Sequence, residues 1–537
     1  MKLIFNGAAK TVTGSCYFLE TENSKILIDC GIFQGEKELR ERNYLDFNFK
    51  PEEIESVLIT HAHIDHTGLL PKLVKKGFCG TIYTTFETKE LLRVMLLDSA
   101  HIQNMETEWE NKKRERKGLP KIEPLYTEED VDKTLKLIKG VEYHKDFFPV
   151  KDIKVKYMNA GHILGSAFLE LNVTENNITK KIIFSGDVGR SNQAIIQNPE
   201  VLENADIVII EATYGNREHK KDEDTEKEIF EMLNEVIKSN GTLIIPAFAV
   251  GRTQEMIYRL FEIFENYNLP EIDVFIDSPM AKEITEIYKK MTDSYDIKTR
   301  EYIKRGISPL ERRNFKFIET LEQSKSLNNN NGPKVIISAS GMCDSGRVLH
   351  HLKHHIWREN SYILFVGYQA KGTLGRRIIE GAKIVNILGD SVKVNAKVFT
   401  IGGLSAHADV KELLAWLRFY ISSKPQIFIV HSEEEVAESF SFIIEEKFNL
   451  KPIIPDIGDE INIQFKDKEL EVSFNKNIAQ LNLNEQKEIF EKNISKIKEY
   501  LNENEGYNKK SFLNMFLKRL NKNIEELLEE FKVELEK

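Results

Sequence analysis

The sequence predicts a layered α/β protein with a second α/β unit inserted into the first and a helical extension at its C-terminal end. Three observations predict it. Short apolar runs end on ionisable residues, strand and helix patterns alternate through the middle of the chain, and the strand-end pattern then returns.

The opening segment MKLIF reads as a first strand. KILID over Lys25–Asp29 stops at Cys30-Gly31, and SVLIT over Ser56–Thr60 runs into His61. KIIF over Lys181–Phe184 ends at Ser185-Gly186-Asp187, and ADIVII over Ala205–Ile210 ends at Glu211. Short apolar runs bounded by turn residues are the pattern of buried strands. Layered α/β folds present their chemistry at such strand ends. Thr88–Lys139 is rich in Glu and Lys at helical spacing and is broken by Gly118-Leu119-Pro120, so it reads as a helical insertion.

From Gly215 to Gly375 strands and helices alternate: a strand over Thr242–Pro246, a helix over Arg252–Glu265, strands over Val274–Ile276 and Lys334–Ser338, and a helix around Leu349–Trp357. Asn328–Gly332 (NNNNG) is the clearest loop. Strand ends return at Phe399–Ile401 before Gly402-Gly403 and at Ile427–Val430 before His431. The expected division is a first domain over 1–215, an inserted domain over 216–375, the rest of the first domain over 376–463, and an extension over 464–537. The extension holds helix-like stretches at Asn484–Glu503 and Lys510–Lys537. Packing by an amphipathic face is the first reading of those helices, and they also offer a surface for RNA or for a homodimer.

Composition bounds the function. With 537 residues, 41% hydrophobic and 30% charged, the chain has apolar material for several cores, which excludes whole-chain disorder. Its longest apolar stretches, such as Leu243–Val250, fall far short of the roughly 18 residues of a membrane span. The N-terminal apolar run is too short for a signal-peptide core. Cys16, Cys30, Cys79 and Cys343 are scattered without a CxxC pair, as expected of free thiols in a reducing cytoplasm. The net charge of −10 argues against a protein that coats nucleic acid broadly, and leaves room for a local grip.

The strongest chemical signal is His61-Ala62-His63-Ile64-Asp65-His66, directly after a strand. Imidazole and carboxylate are ligands that zinc and similar ions use. In an extended segment His61 and His63 point to one side, and the following turn brings Asp65 and His66 toward a second metal. By itself this motif leaves the ligand spheres incomplete, and His162 and Asp187, at two further strand ends, fit them. One carboxylate can bridge two cations, which suits Asp187. Two metals about 3.5–4 Å apart can clamp an in-line phosphoryl displacement.

With these residues the chain resembles a known family. Asp29, the His61–His66 run, His162 and Asp187 are similar to the four successive motifs of the metallo-β-lactamase fold. Glu211 (EATYG), His407 (GLSAHAD) and His431 (VHSE) resemble the three further motifs of the β-CASP branch. PAFAVGR over Pro246–Arg252, Ser340-Gly341-Met342, and GYQAKGTLGR over Gly367–Arg376 also fit that branch. The resemblance spans about residues 1–460 and is strongest to bacterial and archaeal ribonucleases related to the 3′-end-processing endonuclease of cleavage and polyadenylation.

The resemblance implies an αββα fold with an inserted β-CASP domain, and two zinc ions (manganese as the alternative) in a cleft that threads single-stranded RNA. His61, His63, His162 and Asp187 would hold one ion, and Asp65, His66, Asp187 and His431 the other. Asp29 would orient ligands and water, and His407 with Glu211 would protonate the leaving oxygen. His431 favours RNA, since the DNA-processing branch has an apolar residue there. One departure stands out: Ser432 follows His431 where the family commonly has Gly, and its Cβ is expected to strain a tight turn.

Other signals are weaker. SASGMCDSG over Ser338–Gly346, including Ser340 and Gly341, precedes a helix where backbone N–H groups can cradle phosphate. Arg252, Arg347 and Arg376 sit at Gly-flanked edges and could pair with phosphates. His350, His351, His354 and His355 lack the acidic partner of a separate metal site, and Gly367–Gly375 is not an ATP-binding loop. Two competing functions are a thioester or lactam hydrolase of the same fold, which has no need of Glu211 and His407, and a non-catalytic RNA-binding scaffold, which would have lost metal ligands.

Overall fold

Two sheets packed face to face deliver the predicted strand ends to one edge. They belong to the unit Met1–Asn475 of a computed structural model that describes residues 1–219, 222–329, 332–370, 372–401, 405–466 and 470–475. The expected tail helices, Gly402-Gly403, Lys371 and part of the NNNNG loop lie outside the described residues.

The first sheet has eight strands, in spatial order Leu470–Asn475, Glu460–Phe465, Lys2–Phe5, Tyr17–Glu20, Lys25–Ile28, Ser56–Leu58, Thr81–Thr85 and Ile138–Val141. Pairing is antiparallel up to Lys25–Ile28 and parallel beyond it. The second sheet has six, in the order Gln426–Val430, Ile207–Glu211, Ile178–Phe184, Ala167–Glu175, Ile153–Asn159 and Phe147–Val150. Leu3, Phe5, Ile26 and Ile28 of the first meet Tyr157, Leu169, Phe184 and Ile209 of the second in one buried cluster. Helices cover the outer faces. Leu413, Leu417 and Phe440, from helices Val410–Leu417 and Glu434–Phe448, pack on Ile183, Ile210 and Ile429. Leu70, Leu73 and Leu91 pack on Leu27, Val57 and Ile82. Burial on both faces explains why these strands read as continuous apolar runs rather than alternating ones. The order of layers is αββα, as the resemblance implied.

The inserted unit is a six-stranded sheet in the order Phe315–Phe317, Asp273–Asp277, Lys334–Ser338, Thr242–Pro246, Ser361–Phe365 and Lys397–Thr400. Every pairing in it is parallel, which requires the helical crossovers that the strand–helix alternation announced. Two boundaries differ from expectation. The run at Phe399 belongs to this sheet, paired with Ser361–Phe365, so the chain returns to the first unit after Ile401 rather than after Gly375. The first sheet also continues past Gln464. Glu460–Phe465 pairs with Lys2–Phe5 and Leu470–Asn475 pairs with it in turn. Its apolar residues, such as Ile461 and Ile463, alternate with polar ones in a Lys-, Glu- and Asn-rich context, which masks the period-2 pattern.

Asp277, at the end of its strand, fixes the turn that precedes helix Val348–His355. It is fully buried and accepts from His351 Nε2 at 2.6 Å, Arg347 Nη1 at 2.7 Å and Ser324 Oγ. Burial would raise its pKa, and these donors hold it below the usual carboxylate range instead. Asp277→Ala strands two buried donors and is expected to lower unfolding stability by about 3–5 kcal/mol. Urea denaturation checks this, and a loss below about 1 kcal/mol would contradict the role assigned to Asp277.

Candidate metal centre

The HxHxDH segment leaves strand Ser56–Leu58 and turns at once into the short helix Ile64–Thr67. The turn is held by main chain: Ser15 N donates to Asp65 O at 2.8 Å, and Cys30 N to His66 O at 2.8 Å. Gly31 makes this approach feasible, since a Cβ there would lie 1.6 Å from the Asp65 carbonyl oxygen. Asp29 sits just before it in the left-handed region, at φ 58°.

The structure brings all seven predicted ligands together. Ligand atoms of His61, His63, His162 and Asp187 lie within 4.8 Å of one another, as do those of Asp65, His66 and His431. His63 Nδ1 is 3.0 Å from His61 Nε2 and 3.2 Å from His162 Nε2. Asp187 joins the two groups. Its Oδ2 is 3.4 Å from both His61 Nε2 and His162 Nε2, and its Oδ1 is 3.3 Å from His66 Nε2. His431 Nε2 lies 3.4 Å from Asp65 Oδ2. Asp29 accepts from His66 Nδ1 at 2.7 Å and from Thr60 N and Oγ1 at 2.8 and 2.9 Å.

These residues fit a cation. Asp187 Oδ1 is buried without a hydrogen-bond partner, and ring nitrogens of His61, His63 and His162 converge at 3.0–3.2 Å on one another. Burial, reinforced by neighbouring imidazoles, lowers the pKa of His61 and His162, and burial pushes His63 down to about 4. These three are neutral, as ligation requires. Burial also acts to lower His66, but Asp187 and Asp29 on its two sides raise it well above the ordinary value. For Asp187, burial acts to raise the pKa and the surrounding imidazoles lower it further than that. Metal binding by this cluster is what its donor set and its placement suggest.

Beside the ligands stands a carboxylate–imidazole pair. His407 Nδ1 donates to Glu211 Oε1 at 2.9 Å, and His407 Nε2 faces Asp187 Oδ2 at 3.9 Å. Glu211 is fixed by Val188 N at 2.9 Å and Thr213 N at 3.0 Å. Burial would lower the His407 pKa, but Glu211 and Asp187 raise it to about 9. The segment carrying His407 lies against the Asp187 loop, with Ala408 N donating to Val188 O at 2.8 Å.

The expected substrate residues fare differently. Arg252 is buried and paired with Glu255, and Arg347 is engaged by Asp277 and by Glu319 O. Neither presents a free guanidinium to a strand, because nearby carboxylates claim both. Ser340 Oγ accepts from Asp344 N at 3.2 Å and Ser345 N at 3.3 Å, so the turn satisfies those donors itself and they cradle no phosphate. Gly341 packs against Phe248. Arg376 is partly exposed and pairs with Glu380 at 2.6 Å, within electrostatic range of Tyr368 and Glu433. His351 is bound to Asp277, and His355 is buried with neither nitrogen hydrogen-bonded; the His350–His355 group forms no metal cluster among the described residues. The strain expected at Ser432 falls one residue earlier. His431 has φ 50°, and Ser432 carries no positive φ.

Sequence reasoning missed several supports. Thr213 Oγ1 lies 3.0 Å from His431 Nδ1, His219 Nε2 donates to His407 O at 2.9 Å, and the Tyr368 hydroxyl of the inserted unit donates to Glu433. Thr213 and Tyr368 lie inside quoted motifs, EATYG and GYQAKG, and their hydroxyls were the available signal. His219 is in a polar loop with none.

Comparison with known proteins agrees with this geometry. The Metallo-beta-lactamase superfamily pattern matches residues 9–142, the Beta-Casp domain 253–378, and the Zn-dependent metallo-hydrolase RNA specificity domain 391–455. Ribonuclease TTHA0252 of Thermus thermophilus is 35% identical over 435 residues, covering 81% of this chain and 94% of the relative. Probable RNase MJ4 of Methanocaldococcus jannaschii is 32% identical, with 86% and 100% covered. Transcription termination factor FttA of the same organism is 30% identical, with 86% and 72% covered. A crystal structure of a protein of unknown function from Enterococcus faecalis V583 aligns at TM-score 0.50 and 14% identity over 86% of this chain and 99% of that one, a likeness of fold.

Gly31→Ala is expected to push the Asp29 and His63–His66 segments apart. Overpacking of this kind lowers stability by about 1–3 kcal/mol, and bound metal should fall with it. Denaturation and elemental analysis check this; unchanged stability and metal content would contradict the close approach at Gly31.

Proposed function

The chain belongs to the β-CASP branch of the metallo-β-lactamase superfamily, and from that premise we propose that it is a ribonuclease hydrolysing phosphodiester bonds of single-stranded RNA. The observation that carries the reading is the His407–Glu211 pair, with His407 Nε2 3.9 Å from Asp187. A phosphodiester expels an alkoxide, which needs a proton. A small thioester or lactam hydrolase has no need of this pair, and every ligand position of the motif is filled, which a scaffold would not require.

Two divalent cations, zinc by the chemistry of the donors with manganese as the alternative, would be held by the two ligand sets that share Asp187. When bound they supply positive charge against the phosphate and ready ionisation of a water molecule. The protein's own groups do the rest. Asp29 holds the His66 ring through Nδ1, leaving Nε2 toward Asp187. Thr213 does the same for His431 through its Nδ1. Glu211, itself held by two backbone N–H groups, takes the His407 Nδ1 proton as a hydrogen bond and directs Nε2–H to the reacting side. Against burial, Glu211 raises the pKa of His407, which favours the protonated ring that can donate to the departing oxygen. Glu211 remains its partner when cations engage Asp187. The RNA would lie between the metal-bearing loops and the inserted unit; of the three expected arginines Arg376 is the most exposed, and it would have to exchange Glu380 for a phosphate. The homodimer expectation rests on the tail, outside the described residues. Among the described residues no helix is long and apolar enough to cross a membrane.

The test is a time course on 5′-labelled and 3′-labelled single-stranded RNA with zinc or manganese, which also separates internal cutting from either exonucleolytic direction. RNA is expected to be cleaved, and His407→Ala to lower kcat by about 10²–10⁴ with metal content unchanged. Intact RNA together with cleavage of a thioester would overturn the proposal.

A further inference from the structure

Helix Phe86–Arg116 is 31 residues long, about 46 Å at 1.5 Å per residue. All of its buried residues lie between Thr88 and Ala100. No residue beyond Ala100 is fully buried, although the end of the helix is well made. Asn111 exchanges two hydrogen bonds with the Ile122 backbone, at 2.9 and 2.8 Å, and Arg114 Nε donates to Pro120 O at 2.7 Å. A largely exposed helix tip, ended by a built turn, calls for a use outside the fold.

Its tip is unlike the rest of the chain. In a protein of net charge −10, the segment Lys112–Lys117 carries five cations against Glu115 alone. Lys112, Arg116, Lys117 and the nearby Lys121 make no ion pair or side-chain hydrogen bond among the described residues, while Lys113 lies 3.9 Å from Glu110. Trp109 is 62% exposed, with Lys113 Nζ 3.0 Å from its ring centroid. Favourable interaction with the helix dipole accounts for cations in the last turn. It does not account for Lys117 and Lys121 beyond the helix, or for a tryptophan left in water.

We propose that this tip is a second binding site for single-stranded RNA, in which bases stack on Trp109 and phosphates pair with Lys112, Arg116, Lys117 and Lys121. The inference rests on the ribonuclease reading and extends it beyond the catalytic groups. Aromatic faces interleaved with cations are what an unpaired nucleic acid strand uses. An acidic peptide offers no base to stack. An anionic bilayer takes a broad apolar face, whereas Trp109 lies between Glu108 and Glu110. The helix also leads from the catalytic loop. Thr88 Oγ1 donates to Gly165 O at 2.9 Å, three residues after His162, and Lys112 lies about 36 Å further along the helix axis. Only a strand that extends well beyond the scissile bond reaches both sites.

Steady-state cleavage by the full chain of a long strand (about 30 nucleotides) and of a short one (about 6 nucleotides) tests this. The combined variant K112Q/R116Q/K117Q/K121Q should raise KM for the long strand about tenfold, leave kcat unchanged, and leave the short strand unaffected. Its salt dependence should weaken by up to about 3 in the log–log slope. Trp109→Ala should raise the same KM about five- to tenfold with the slope retained. Unchanged thermal melting shows that the variants are folded. An unchanged long-strand KM and slope, with the parent active, would overturn the tip as an RNA site and leave the ribonuclease reading intact. The same holds if the variant instead loses binding to phosphatidylserine vesicles. A parent that cleaves neither strand overturns the ribonuclease reading and, with it, this site.

Discussion

Burial of Asp187 among imidazoles is the constraint on which the rest of this structure depends. A carboxylate removed from water is unfavourable by several kcal/mol unless charge and hydrogen bonds offset it. Here His61, His162 and His66 surround it at 3.3–3.4 Å, and one of its oxygens has no hydrogen bond. Burial holds His61, His63 and His162 neutral, while against burial the neighbouring carboxylates raise the pKa of His66 and His407, so part of the balancing charge comes from those two rings. Divalent cations, when bound, would supply the rest, with the crowded imidazole nitrogens as their ligands. Much of the local backbone serves this cluster. Gly31 lets the Asp29 and His66 segments touch, and Asp29 and His431 adopt left-handed φ to aim their side chains inward.

The same centre reconciles the acidity of the chain with a polyanionic substrate. Asp29, Asp65, Asp187 and Glu211 would repel phosphate by themselves, and bound cations reverse the sign of the field where they sit. Attraction is therefore local. Away from the candidate metal centre, a run of exposed positive charge lies at the far end of helix Phe86–Arg116, where no residue is fully buried. The inserted unit meets the centre through Tyr368 on Glu433, next to His431 but two residues from the ligand itself. That contact ties a loop of the inserted unit to the metal-bearing edge without drawing on a ligand.

The fold and the core of the site were largely legible because both depend on local pattern. A strand buried on both faces must be a short apolar run, and a ligand at its end must be the next ionisable residue. The strand-end positions of Asp29, His61, Asp187, Glu211 and His431 could therefore be read from pattern, while the roles of Asp29, Glu211 and His431 came from the family resemblance. What was not legible depends on pairing across long separations. Arg252 and Arg347 look free in sequence, yet Glu255 and Asp277 claim them. Phe399 ends an apolar run that fits either sheet, and only its register against Ser361–Phe365 assigns it. Glu460–Phe465 and Leu470–Asn475 are edge strands with one polar face, and a charged composition hid their alternation. At His431 the departure from the family's glycine suggested strain at Ser432, whereas the turn places the left-handed residue at the ligand itself.

Metal binding to the chelator-stripped protein tests the central claim most directly. If the buried cluster is built for cations, adding zinc or manganese should raise the unfolding free energy by about 2.7 kcal/mol when free metal reaches a hundred times its dissociation constant, and Asp187→Asn should abolish most of that gain. A stripped protein that melts at the same temperature with and without added metal, and retains none after dialysis, would contradict the account.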